Sequence, residues 1–243
     1  MIKISRSEIE LFVQCPRCFY LDVIDKIHRP VGFPVSLKSG VLALLRKEFD
    51  AHRQAGTQHP LQEKFEVAAI PAQHDQIDEW RKPDNAGVVF QDISRGFHLY
   101  GSIDDLWQNE KGEYHVVDYK ATAKFSPVSV LPSWADAYCR QMEIKQWLLR
   151  KNGLNVSDIS YFVYCTGDIN AAGLNDHLDF HTHIIACPGD DSWVEQAVHS
   201  AYLLLKNHQI PQASDDCEFC HYVEQRRHIE HQSDALPLRY KTA

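Results

Sequence analysis

Apolar positions in this chain recur at helical spacing in some stretches and alternate in others, and the switches between the two rhythms mark the elements. Residues 5–20 carry Ile9, Phe12 and Val13 at helical spacing behind two capping-box pairs, Ser5 with Glu8 and Ser7 with Glu10. Pro30, Gly32 and Pro34 mark residues 26–36 as a connector. A second helix is expected over about 37–53, with Leu37, Val41, Leu44, Leu45 and Phe49 inward. Residues 54–86 show little pattern beyond a possible strand at 65–70, and read as an insertion. Alternation then predicts strands at 87–93, 97–107 and 113–121. After a loop through residues 124–132, a helix starts at Ser133 and ends at Gly153, with Trp134, Ala137, Tyr138, Gln141, Ile144 and Leu148 facing the core. Strands at 158–165 and 178–186 and a helix running to His208 complete the pattern.

The stretch from Tyr100 to Thr122 carries the densest candidate chemistry. Asn109-Glu110-Lys111-Gly112 separates two apolar runs and reads as a hairpin turn. With Gly112 in the positive-φ position of a three-residue loop, Asp104 falls directly opposite Asp118. Cross-strand neighbours have Cβ atoms about 4.5–5.5 Å apart, and like charges so placed repel. A divalent cation between them turns that repulsion into a ligand set. Lys120 lies two residues beyond Asp118 on the same face, where an ammonium can orient a water or stabilise developing negative charge.

Two helical positions stand near this hairpin in the pattern. Glu48 sits at the edge of its apolar stripe, either at the rim of the core or aimed into a site. Gln141 is a polar residue at a core position, either bonded to backbone or reaching into a site. Arg140, Lys145, Arg150 and Lys151 make the helix after the hairpin locally basic. That is either a solvated face or a phosphate-binding edge, to which Lys124 in the preceding loop would add.

Gly101-Ser102-Ile103-Asp104 followed by Val116-Val117-Asp118-Tyr119-Lys120 resembles the split motif of the PD-(D/E)XK nucleases, in their RecB-like branch. The resemblance implies an α/β fold with a restriction-endonuclease-like core: a helix, a three-stranded meander, a helix and a strand. It implies that Asp104 and Asp118 bind Mg²⁺ or Mn²⁺, that Lys120 assists the hydrolytic water, and that Gln141 positions the lysine or the strand. Glu48 becomes a further carboxylate. The pattern is broken at two accessory positions. Leu44 stands where a helical His is expected after Gly40, and Lys145 where a Tyr is expected after Gln141. The implied activity is hydrolysis of phosphodiester bonds, with DNA as the expected substrate and nucleic-acid processing or repair as the setting. The alternative is a catalytically weakened module that binds nucleic acid or a protein partner. Arg140, Lys145 and Lys124 are the expected nucleic-acid contacts.

Composition adjusts this picture in three ways. At 243 residues, 44% hydrophobic and 24% charged, the chain is expected to form one domain with a sizeable core. In that reading 54–86 is the insertion, and segments 1–25 and 210–225 form a cysteine clip. No apolar run of about 18 residues and no export signal is present, so a cytoplasmic protein without membrane segments is expected. The net charge of −8 argues against non-specific coating of nucleic acid, though not against a local basic groove.

Seven cysteines without an export signal are not expected to be a disulfide set. Cys15-x-x-Cys18 and Cys217-x-x-Cys220 each have the spacing that lets two thiolates meet one ion or cluster. Together they predict a [4Fe–4S] cluster or a tetrathiolate Zn²⁺ that ties the two ends of the chain. Iron–sulfur relatives of the resembled family use one N-terminal and three C-terminal cysteines, a distribution this chain lacks. Cys139, Cys165 and Cys187 read as small core residues, and His181 and His183 share a strand face without reading as ligands.

Overall fold

The computed structural model describes residues 1–30, 36–82, 87–122, 135–168, 173 and 176–232. Strand β1 (Ile2–Ser5) leads directly into α1 (Arg6–Gln14), and α2 (Pro16–Val23) follows after a break at Cys15. The single helix expected over 5–20 is thus two. Proline cannot continue a helix, and its predecessor is driven to extended backbone. Cys15 accordingly has φ −160° and ψ 108°, and Pro16 opens α2. Of the two capping boxes in the sequence, the one at Ser5 forms: Ser5 Oγ accepts the Glu8 N–H at 3.1 Å, and Glu8 Oε2 accepts the Ser5 N–H at 2.5 Å.

Helix α3 (Ser36–Ala55) is followed by α4 (Pro60–Lys64), β2 (Ala69–Pro71) and α5 (Ile77–Trp80). The stretch expected as an insertion carries secondary structure of its own. Strand β2 is an edge strand of the main sheet, and Trp80 is buried in the core. Strands β3 (Val88–Asp92), β4 (Phe97–Gly101), β5 (Asp105–Asn109) and β6 (Tyr114–Thr122) come next. The single strand expected over 97–107 is broken at Ser102–Asp104, and its halves join different sheets. Strand β4 lies between β1, which it pairs in parallel, and antiparallel β3. Strand β5 pairs with β2 and β6 in a five-stranded sheet of order β2-β5-β6, then β7 (Ile159–Gly167) and β8 (Phe180–Pro188).

Strands β6 and β7 run parallel, joined through α6 (Ala135–Lys151), as a parallel pair requires a crossover. The expected start of α6 at Ser133 and Trp134 lies outside the described residues. Helix α7 (Val194–Asn207) packs beside α1 and α6. Helix α8 (Glu218–Gln232) was not foreseen. Phe219, Tyr222, Val223 and Ile229 are all exposed, so it carries no apolar stripe to announce it.

Strand alternation divides the core between the two faces of the main sheet. Leu106, Val116 and Phe162 face α6, packing with Met142, Leu148 and α7. Trp107, Val117, Tyr119 and Val163 face the other way, onto Leu45 and Phe49 of α3. Leu44, expected inward, is exposed. No helix among the described residues is long and apolar enough to cross a membrane.

Candidate active site

The β5–β6 hairpin closes as the turn residues predict. Asn109 Oδ1 accepts the N–H groups of Lys111 and Glu113, both at 3.0 Å, and Gly112 has φ +76°. The pairs Asp105↔Val117 and Leu106↔Val116 set a register that, carried one step outward, places Asp104 opposite Asp118. Asp104 stands at the bend just before β5, where the chain changes sheets. Its Oδ2 accepts the Tyr119 N–H at 3.1 Å. Burial raises its pKa, and the neighbouring Asp118 raises it further.

Asp118 is more deeply buried, which works against its charge. Lys145 and Lys120 overcome that and hold its carboxyl far below the usual range. The Lys145 ammonium donates to Oδ1 at 2.6 Å, and the Lys120 ammonium contacts Oδ2. Lys120 also lies over the Tyr138 ring, 4.7 Å from its centroid. Two arginines complete the surround. Arg46 of α3 approaches Asp104 Oδ1 at 3.8 Å. Arg6 of α1 is largely buried, which lowers its pKa against the opposing pull of Asp118, Glu10 and Asp104. Gly101 makes room for it: a Cβ there would stand 3.0 Å from Arg6 Cβ and 3.3 Å from Leu148 Cδ1. Four cations thus surround two carboxylates in a chain of net charge −8.

The remaining expected residues are distributed differently. Lys145, anticipated on a phosphate-facing edge, is 4% exposed and turned inward, because the carboxylate beneath α6 is the stronger partner. Arg140 is engaged with Glu10, Nη2 to Oε1 at 2.7 Å. Gln141 is half-buried one turn before Lys145. Glu48 is not brought to the pair. With Leu45 and Phe49 facing the sheet and Arg46 facing Asp104, Glu48 points to the far side of α3. Its side chain is 61% exposed and 3.7 Å from His59 Nε2. Lys124 lies outside the described residues. Arg6 had no signal in the sequence, since only packing brings the first turn of α1 against the sheet.

On the opposite face Asp105 is wholly buried. Arg53, Arg81 and the Leu106 N–H all bond its Oδ1, and the Tyr119 hydroxyl donates to Oδ2. Asp50 bridges the same two arginines.

Far from the carboxylates, Cys15, Cys18, Cys217 and Cys220 converge, all buried, with their sulfurs within 4.8 Å of one another. Cys139 of α6 and Cys187 of β8, expected as free core thiols, form a disulfide across the helix–sheet interface. Their Cα atoms stand 6.4 Å apart, within the range that such a bond spans. Cys165 is a free buried thiol.

The family model of the PD-(D/E)XK nuclease superfamily matches residues 34–225, a span that contains Asp104, Asp118, Lys120 and Lys145. This chain belongs to that superfamily. Its members are nucleases that use divalent metals for phosphodiester hydrolysis. The α/β fold and the four-cysteine cluster near the termini agree with the RecB-like resemblance. Among solved structures, the crystal structure of SSO0001 is similar at 15% identity, covering 91% of this chain and 84% of that one with a TM-score of 0.39. No curated protein matches the chain.

Proposed function

We propose that this PD-(D/E)XK protein is a Mg²⁺- or Mn²⁺-dependent nuclease acting on DNA, with exonuclease action in DNA processing or repair. The observation that carries the reading is the opposed Asp104–Asp118 pair with Lys120 on the same face. The donor set fits a hard divalent ion: two carboxylates, one of which keeps an oxygen 3.8 Å from its nearest guanidinium. Such an ion would supply an activated water and neutralise the scissile phosphate.

The chain's own groups do the rest. Asp104 and Asp118 would hold the ion, and the Tyr119 N–H fixes the orientation of Asp104. Lys120, its ammonium beside Asp118, would orient the attacking water and offset the negative charge that develops at the phosphate. Arg46, 40% exposed at the rim, offers a guanidinium to the phosphate backbone. Gln141, half-buried on α6, positions Lys120 or its strand.

Two observations favour the weakened module. Both oxygens of Asp118 already contact an ammonium, and Glu48 points away. We favour the enzyme because the two opposed carboxylates and Lys120 occur together, and Lys145 reaches Asp118 from α6 rather than from the sheet. End-labelled single- and double-stranded DNA and RNA, incubated with Mg²⁺ or Mn²⁺, test this directly. Wild type should degrade DNA, and Lys120→Ala should lose more than about 100-fold in rate. DNA binding without cleavage by wild type would establish the module instead.

A further inference from the structure

The four-cysteine cage could hold a [4Fe–4S] cluster or a single zinc, and the spacing of its sulfurs bears on which. A [4Fe–4S] cubane binds each thiolate to a different iron, so its cysteine sulfurs stand roughly 6 Å apart. Four thiolates on one tetrahedral ion at about 2.3 Å stand only about 3.8 Å apart. Here Cys18 Sγ is 3.6 Å from both Cys217 Sγ and Cys220 Sγ, and Cys15 Sγ is 3.9 Å from Cys220 Sγ. A cubane would require these edges to lengthen by about 2 Å.

The surrounding backbone fixes where the four cysteines stand. Cys15 is the extended residue between α1 and α2, and its carbonyl accepts the Phe19 N–H at 3.1 Å. Cys18 follows within the first turn of α2. Cys217 and Cys220 occupy the corresponding places at the start of α8, where the Cys217 N–H donates to Ser214 O and its carbonyl accepts the His221 N–H. Arg17 ties the two helical segments together a second time, through Pro211 O at 3.0 Å and Glu224 Oε1 at 2.8 Å. Leu11 and Ala213 pack against the sulfurs.

We infer that the cage holds a single zinc ion as a closed structural site, and not an iron–sulfur cluster. All four ligands are buried thiolates, a set that tetrahedral zinc takes as a structural site, and their spacing is that of one ion rather than a cubane. A divalent ion with four thiolates carries two negative charges. Arg29 offsets part of that: its Nη2 donates to Cys217 Sγ at 3.4 Å, and its guanidinium stacks over Phe219. Arg29 also bonds Gln14, Gln14 bonds Glu10, and Glu10 holds Arg140 on α6. The ion thereby anchors a polar chain ending on the helix that carries Lys145.

This inference does not depend on the nuclease reading, and one experiment keeps the two apart. The full chain is purified anaerobically without chelator from cells supplied with both iron and zinc. Metals, acid-labile sulfide and the visible spectrum are then measured. One zinc per chain, no sulfide and no absorption near roughly 400 nm are expected. Four irons with matching sulfide, one iron alone, or no stoichiometric metal would each overturn the assignment. Cys217→Ser should lose the zinc, whereas Asp118→Asn should keep it whether or not it cleaves DNA. Zinc retained in full by Cys217→Ser would also overturn it.

Discussion

Asp104 and Asp105 are adjacent in the chain and opposite in every physical respect. Asp105 faces α3 and is saturated, with two guanidiniums, a hydroxyl and a backbone amide on its oxygens and no solvent exposure. Asp104 faces Asp118, has one oxygen paired only loosely, with Arg46 at 3.8 Å, and has its pKa raised by burial and by the neighbouring charge. A saturated carboxylate holds a fold together, because its ligands are already chosen. A carboxylate set against another carboxylate, with spare acceptor capacity, is unstable alone and complete only with a cation. The same hairpin thus carries structural work on one face and the candidate chemistry on the other.

The largest effect should come from crossing that division. Asp105→Ala leaves Arg53 and Arg81 buried without their main partner and should cost about 3–5 kcal/mol, read from urea unfolding. Asp104→Ala should cost much less and mainly affect metal binding. Comparable losses from both would erase the distinction between the faces.

A smaller effect is expected at Lys145. Its ammonium occupies the carboxylate that a metal must use, so Lys145→Met should bind Mn²⁺ more tightly by roughly tenfold in calorimetric titration. Unchanged or weaker binding would mean that Lys145 does not compete for Asp118.

The smallest effect lies on the α3 face. His59 stacks on Phe49 at 4.1 Å, and its Nδ1 accepts the Leu61 N–H as the cap of α4. Burial, aided by His52, lowers its pKa from 6.5 to about 4. Between those values the folded state binds fewer protons than the unfolded one, so stability should fall as pH drops from 6.5 toward 4 and level off below. His59→Asn keeps a capping oxygen without a titrating ring and should show a shallower slope of melting temperature against pH. An unchanged slope would assign the titration elsewhere.

Legibility followed the range of the interaction. The hairpin register was readable because Gly112 and the alternation of apolar residues constrain neighbours a few positions apart. The break at Ser102–Asp104 was not readable, since both halves alternate correctly and only their different partner strands reveal it. The disulfide between Cys139 and Cys187 was missed for a similar reason, as nothing local brings α6 over β8. Glu48 misled because its place at the edge of the stripe fits either side of α3 until Arg46 claims the side facing Asp104.

What the sequence determined by itself is therefore local: Asp118 and Lys120 on one strand face, Asp104 in register with them, and two thiols at two-residue spacing in each cysteine pair. Those follow from strand and helix periodicities that every chain obeys. Tertiary structure decided who meets whom. It brought Lys145 onto Asp118 from 27 residues away, set Arg6 behind the pair, and closed cysteines 199 residues apart into a cage of one-ion size. Those choices depend on how helices pack over the sheet, and packing is a property of the whole core.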